Sequence, residues 1–66
     1  MKNYFVELTN GSDEWFEARN DTSAINKARK IETRVRKDTG NKYVYIYYLA
    51  ECFEEDEEDR VVVSMY

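Results

Sequence analysis

The sequence predicts an α+β fold: a four-stranded antiparallel sheet of order 2-1-3-4 with one helix packed on one face, in element order ββαββ. Three observations predict it. Two alternating runs of strand formers flank an Asn10-Gly11 turn signal, one stretch of helical periodicity occupies the middle, and two further strand runs are separated by a block of acids. A single helix covers a single sheet face, so the other face is expected to stay open. The 66 residues are expected to form one domain, 1–66, and a chain of this size buries only about 60% of its unfolded surface. Three Phe, one Trp and six Tyr, with two Gly and no Pro, suit a small core without a flexible linker.

The first strand is expected over 4–9, with Tyr4, Val6 and Leu8 on one face and Phe5, Glu7 and Thr9 on the other. Asn10-Gly11 tolerates positive φ at both central positions of a type I′ turn. The return strand, 14–19, then sets Phe16 and Ala18 on the Val6 and Leu8 side and Trp15 on the opposite side. Among the oxygens of Asn20, Asp21, Thr22 and Ser23, Asp21 is the preferred helix cap, with Thr22 and Ser23 as alternatives. The helix is expected to run to Lys37 or Asp38. Its apolar stripe is Ala24, Ile25, Ala28, Ile31 and Val35, and Gly40 ends it in a left-handed conformation.

Residues 42–52 carry the longest strand signal. Alternation gives Val44, Ile46, Tyr48 and Ala50 one face and Tyr43, Tyr45, Tyr47 and Leu49 the other. The last strand, 60–66, is β-branched, and the acids before it form the loop of a second hairpin. The expected core under the helix is Tyr4, Val6, Leu8, Phe16, Val44, Ile46, Val61 and Val63.

The formal charge of -4 is unevenly spread, because six of the fourteen acids are Glu54, Glu55, Asp56, Glu57, Glu58 and Asp59. The remaining eight acids against ten bases leave the rest of the chain at +2. A single cysteine, Cys52, excludes an internal disulfide and fits a reducing compartment. The start of the chain has no apolar signal region, and its longest apolar run, 43–50, is too short to span a bilayer. A cytoplasmic protein without membrane association is expected.

Three features can carry function. The open sheet face is expected to gather Phe5, Trp15, Tyr43, Tyr45, Tyr47, Leu49 and Tyr66, and rings that keep a polar atom suit a protein partner or a homodimer through that face. The plain alternative is tyrosines pairing across a solvated sheet. The acidic run can steer the chain toward a basic protein surface, or it can be a solvated loop; the calcium-loop pattern with its central Gly is absent, and no metal or cofactor is expected. Lys27, Lys30, Arg34 and Lys37 share a helix flank and span about 15 Å, a stripe that could meet nucleic-acid phosphates while tyrosines stack on bases. A solvated helix face explains the same stripe without a ligand.

Catalysis finds no support in the residues. There is no His, no Gly-rich phosphate loop and no nucleophile elbow, and Cys52 lacks an activating base. No catalytic residue is assigned.

The succession of strand, Asn10-Gly11, strand, capped helix with Ala24, Ala28 and Ile31, and long strand resembles small phage and mobile-element proteins, among them anti-CRISPR and other anti-defence inhibitors. The resemblance covers the whole chain in layout and charge and carries no residue over. It implies a non-catalytic inhibitor or adaptor that binds a nucleic-acid-handling host or defence protein in the host cytoplasm. Trp15, Tyr45 and Tyr47 would anchor the partner and the acidic run would steer it. The competing expectation is a small nucleic-acid-binding protein that uses the helix stripe and the tyrosines.

Overall fold

Lys2–Leu8 (β1) and Asp13–Ala18 (β2) pair antiparallel, with Tyr4 opposite Phe16 and Phe5 opposite Trp15. Directly opposed residues share a face, so Phe16 joins the Tyr4, Val6 and Leu8 side as the alternation predicts. These pairings belong to a computed structural model that describes residues 1–53 and 59–65. The turn between the two strands differs from the type I′ expectation. Gly11 N–H donates to Leu8 C=O at 3.0 Å, Leu8 N–H donates to Ser12 C=O at 2.8 Å, and only Gly11 takes positive φ, at +89°. Asn10 instead uses its side chain, accepting from Ser12 N–H at 3.0 Å. The longer loop thus needs a left-handed residue at one position, and Gly fills it without a steric penalty.

The helix α1 spans Asp21–Thr39. Its cap is Asn20, not Asp21, Thr22 or Ser23: Asn20 has extended backbone angles, and its side chain accepts from Ser23 N–H at 2.9 Å. An Asn in this position satisfies one of the free amides of the first turn. Asp21 is the first helical residue, where its charge suits the positive end of the helix dipole. Gly40 ends the helix at φ +67°, as expected. Ala24, Ala28 and Ile31 are buried, and Ile25 and Val35 pack on the same core from its margin.

The fold class predicted by the sequence is the one observed, a single antiparallel sheet of order β2-β1-β3-β4 with β3 at Ile46–Cys52 and β4 at Arg60–Ser64. Sheet pairing in the third strand begins at Ile46, four residues later than expected. By Tyr45 the partner β1 has turned away, and only Thr9 remains beside it: Thr9 N–H donates to Tyr45 C=O at 2.9 Å, and Tyr45 N–H donates to Thr9 Oγ1 at 3.0 Å. The helix supplies the other partners. Arg36 Nε donates to Val44 C=O at 2.7 Å, and Glu32 Oε2 accepts from Ile46 N–H at 2.8 Å.

The largest correction lies inside β3. Leu8 pairs with Ile46 while Glu7 pairs with Tyr48, so Tyr47 is an extra residue, a β-bulge. Beyond it every side chain changes face. Leu49, opposite Val6, is fully buried in the core under the helix, whereas Tyr48 and Ala50, which strict alternation places on the helix-facing side with Val44 and Ile46, lie opposite Glu7 and Phe5 on the open side. A second shift makes Val62 the extra residue of β4: Val63 pairs with Leu49 on the core side, and Val61 pairs with Ala50 on the open side, where it is 51% exposed instead of buried. The core is therefore Tyr4, Val6, Leu8, Ala18, Val44 and Leu49 against Ala24, Ala28 and Ile31, with Phe16, Ile46, Val62 and Val63 around it. No helix among the described residues is long and apolar enough to cross a membrane.

Candidate protein-docking face

Pairing across the four strands arranges the open face in three rows. Asp13, Glu7, Tyr48 and Ser64 form one, Trp15, Phe5, Ala50 and Val61 form the next, and Glu17, Asn3 and Cys52 form the third. The middle row is apolar from edge to edge. Trp15 and Phe5 stack in a tilted pair with centroids 5.0 Å apart, and Trp15 remains 65% exposed. The flanking rows hold Asp13, Glu7 and Glu17, and no described strand residue on this face is Lys or Arg. Asp59, just before β4, lies close to Cys52. Burial first, and then the Asp59 charge, pushes the Cys52 thiol up to about 11, so it is a thiol and not a thiolate at neutral pH.

The helix side carries the opposite arrangement. All four ion pairs among the described residues are there: Arg34 with Glu14, Arg36 with Glu32, and Arg60 with both Asp21 and Glu51. Glu51 is a buried carboxylate, 5% exposed, on which Arg60 closes with two bonds of 2.7 and 3.1 Å. Arg60 also reaches Asp21 at 2.5 Å, and the Tyr4 hydroxyl donates to the same Asp21 oxygen at 2.9 Å. The hydrogen bond from Arg60, and next that from Tyr4, holds the Asp21 carboxyl below its ordinary value. Burial, followed by the bond to Asp21, pushes the Tyr4 phenol up to about 12. One cation thus joins the helix start to β3 and β4, and Tyr4 adds β1.

Comparison with protein-family models, with curated proteins and with solved structures finds no match to the chain.

Of the predicted anchors, Trp15 is on the open face and three tyrosines are not gathered with it. Tyr43 and Tyr45 precede β3, near the C-terminal end of the helix. Arg36 lies 4.9 Å from the Tyr45 ring centroid and Lys42 Nζ lies 5.4 Å from that of Tyr43, cation-π distances in both cases. Tyr47 is the bulge residue at the end of the sheet. The reason is the late start of β3 and the bulge, which break the alternation that would have aligned the three. Glu54, Glu55, Asp56, Glu57, Glu58 and Tyr66 lie outside the described residues.

The predicted helix stripe is partly engaged within the molecule. Lys27 Nζ donates to Glu17 C=O on the edge strand at 2.6 Å, and Arg34 pairs with Glu14, while Lys30 and Lys37 are exposed. Sequence reasoning missed Tyr48, Ala50 and Val61 on the open face because a bulge leaves no mark in a pattern of strand formers. The acids there were readable, since Glu7 and Glu17 already alternate away from the core-facing residues of their strands.

Proposed function

We propose that the protein is a non-catalytic inhibitor or adaptor that docks a basic macromolecular partner on its open sheet face, with the six acids in the sequence at 54–59 adding to the chain's negative charge. The observation that carries this reading is the combination on that face of an apolar row, Trp15 to Val61, and strand charges that are all negative and unpaired among the described residues. The apolar row supplies the desolvated centre of an interface. The carboxylates around it select a cationic partner and speed the encounter more than they tighten the final complex. They also disfavour two alternatives on this face: nucleic-acid phosphates would be repelled, and two copies packed face to face would oppose acid with acid. A protein that handles nucleic acid, whose own surface is basic, is the partner class that fits. An anti-defence inhibitor of phage or mobile-element origin is the setting in which such mimicry of a polyanion serves.

Recovery of partners from host lysate with wild type, Trp15→Ala and a variant with residues 54–59 neutralised tests the reading. A protein held by wild type, released by salt and lost with Trp15→Ala supports it. Equal recovery by all three chains sinks it.

A second reading has one specific observation in its favour, the placing of Tyr45 beside Arg36 and Tyr43 beside Lys42 at the helix C-terminal end, near exposed Lys37. Rings and cations so arranged suit stacking on single-stranded bases. Titration with labelled single-stranded nucleic acid at low salt decides it: salt-sensitive binding abolished by Tyr43→Ala with Lys37→Ala favours nucleic acid, and absence of binding removes that reading.

A further inference from the structure

The Tyr47 bulge does more than change the face of the residues after it. At that end of the sheet the turn after β1 lies on one side, and the chain leaving β4 lies on the other, held by the bond from Met65 N–H to Tyr47 C=O at 3.0 Å. Between them is an open cleft of about 550 Å3, lined by Glu7, Leu8, Thr9, Gly11, Tyr47 and Met65. Gly11 keeps one wall low, since open space lies where its Cβ would be.

Among the described residues, the lining contains three large apolar or aromatic residues, one carboxylate and no cation. Glu7 stands directly opposite Asp13 across the β1 and β2 pair, an arrangement of like charges that is unfavourable in the isolated protein and relieved by a cation between them. Neither takes part in an ion pair among the described residues.

We infer that the cleft beside the β3 bulge is the anchor site for one arginine side chain of the basic partner, an inference that rests on the docking reading above. A guanidinium fits this lining better than an ammonium. Its aliphatic stem and flat, weakly hydrated head can lie along Tyr47 and Met65, while its fork of donors meets the Glu7 carboxylate in a charge-assisted bond. A phosphate or an acidic side chain would meet Glu7 and Asp13 with like charge and is refused.

The test is an amide chemical-shift titration of the isotope-labelled full chain with three capped tripeptides, Gly-Arg-Gly, Gly-citrulline-Gly and Gly-Lys-Gly. Citrulline keeps the shape of arginine and removes its charge. The expected result is saturable shifts centred on Glu7, Thr9, Gly11 and Tyr47 with the arginine peptide, and binding about tenfold weaker with citrulline. Glu7→Gln should weaken the arginine peptide by a similar factor while Asp38→Asn, which removes an exposed carboxylate from the helix, leaves it unchanged. Equal binding of citrulline or of lysine, shifts spread over the whole acidic face, or indifference to Glu7→Gln would overturn the assignment. The two readings fail separately. A partner lost with Trp15→Ala but insensitive to Glu7→Gln removes the arginine cleft and leaves the docking face standing. Peptide binding in the cleft with a partner indifferent to Trp15→Ala does the reverse.

Discussion

Asp21 stands at the first turn of the helix and receives two donors on one oxygen, from Tyr4 and from Arg60. Tyr4 is fully buried apart from that bond, so Tyr4→Phe keeps the packing and removes only the hydroxyl. A hydrogen bond to a charged acceptor contributes about 1.5 kcal/mol, and urea unfolding of Tyr4→Phe should report a loss of that order with an unchanged denaturant slope. The pH dependence follows from the direction of the Asp21 shift. A carboxyl whose folded value lies below its ordinary 3.8 stabilises the folded state above that value, and the contribution disappears as pH falls through the folded value. Wild type should therefore lose stability below about pH 4, and Asp21→Asn, less stable at pH 7, should show a shallower fall over the same range. A steeper fall in the variant would contradict this account.

Among the elements, β3 decides which residues are core. Strict alternation puts Tyr48 on the helix side and Leu49 on the open side; with the bulge at Tyr47 the two exchange faces, leaving Leu49 fully buried and Tyr48 half-buried. The exchange makes a sharp test. Leu49→Ala empties a site with no solvent exposure and should cost about 3 kcal/mol, whereas Tyr48→Ala, at a half-buried position on the open face, should cost less. Denaturation midpoints of the two variants measured side by side check the order, and the reverse order would restore the unbroken strand. Glu51 follows the same logic. Past the bulge it points to the helix side, and it is tolerated there because Arg60, its directly opposed partner in β4, meets it. The edges of the sheet are also managed locally: Lys27 covers a backbone carbonyl of β2, and the extra Val62 interrupts β4.

For the whole molecule, the two layers divide charge. Six of the ten bases are on the helix, and the carboxylates they and Arg60 neutralise face the helix side, while Glu7, Asp13 and Glu17 are left on the other side of the sheet. Such a face repels its own copy. Sedimentation equilibrium at low ionic strength should give a monomer, and any association should strengthen as salt screens the carboxylates. Dimerisation that is strongest at low salt would mean that the acidic face is not what meets in the dimer.

By itself the sequence determined the element order, the antiparallel sheet order and the apolar stripe of the helix. Those depend on short-range signals: the periodicities of 2 and 3.6, the Asn10-Gly11 turn and the helix-ending Gly40. It also contained half of the candidate face, because Trp15 and Glu17 alternate against Phe16, and Glu7 against Leu8, within unbroken strands. Only the tertiary structure decided the other half. The face of a strand residue depends on register, and one extra residue reverses every side chain after it, so Tyr48, Ala50 and Val61 could be assigned only once β1 had met β3 and β3 had met β4. The same pairing drew Tyr43, Tyr45 and Tyr47 away from Trp15 and opened the cleft beside Glu7, a site made by residues that no spacing in the chain connects.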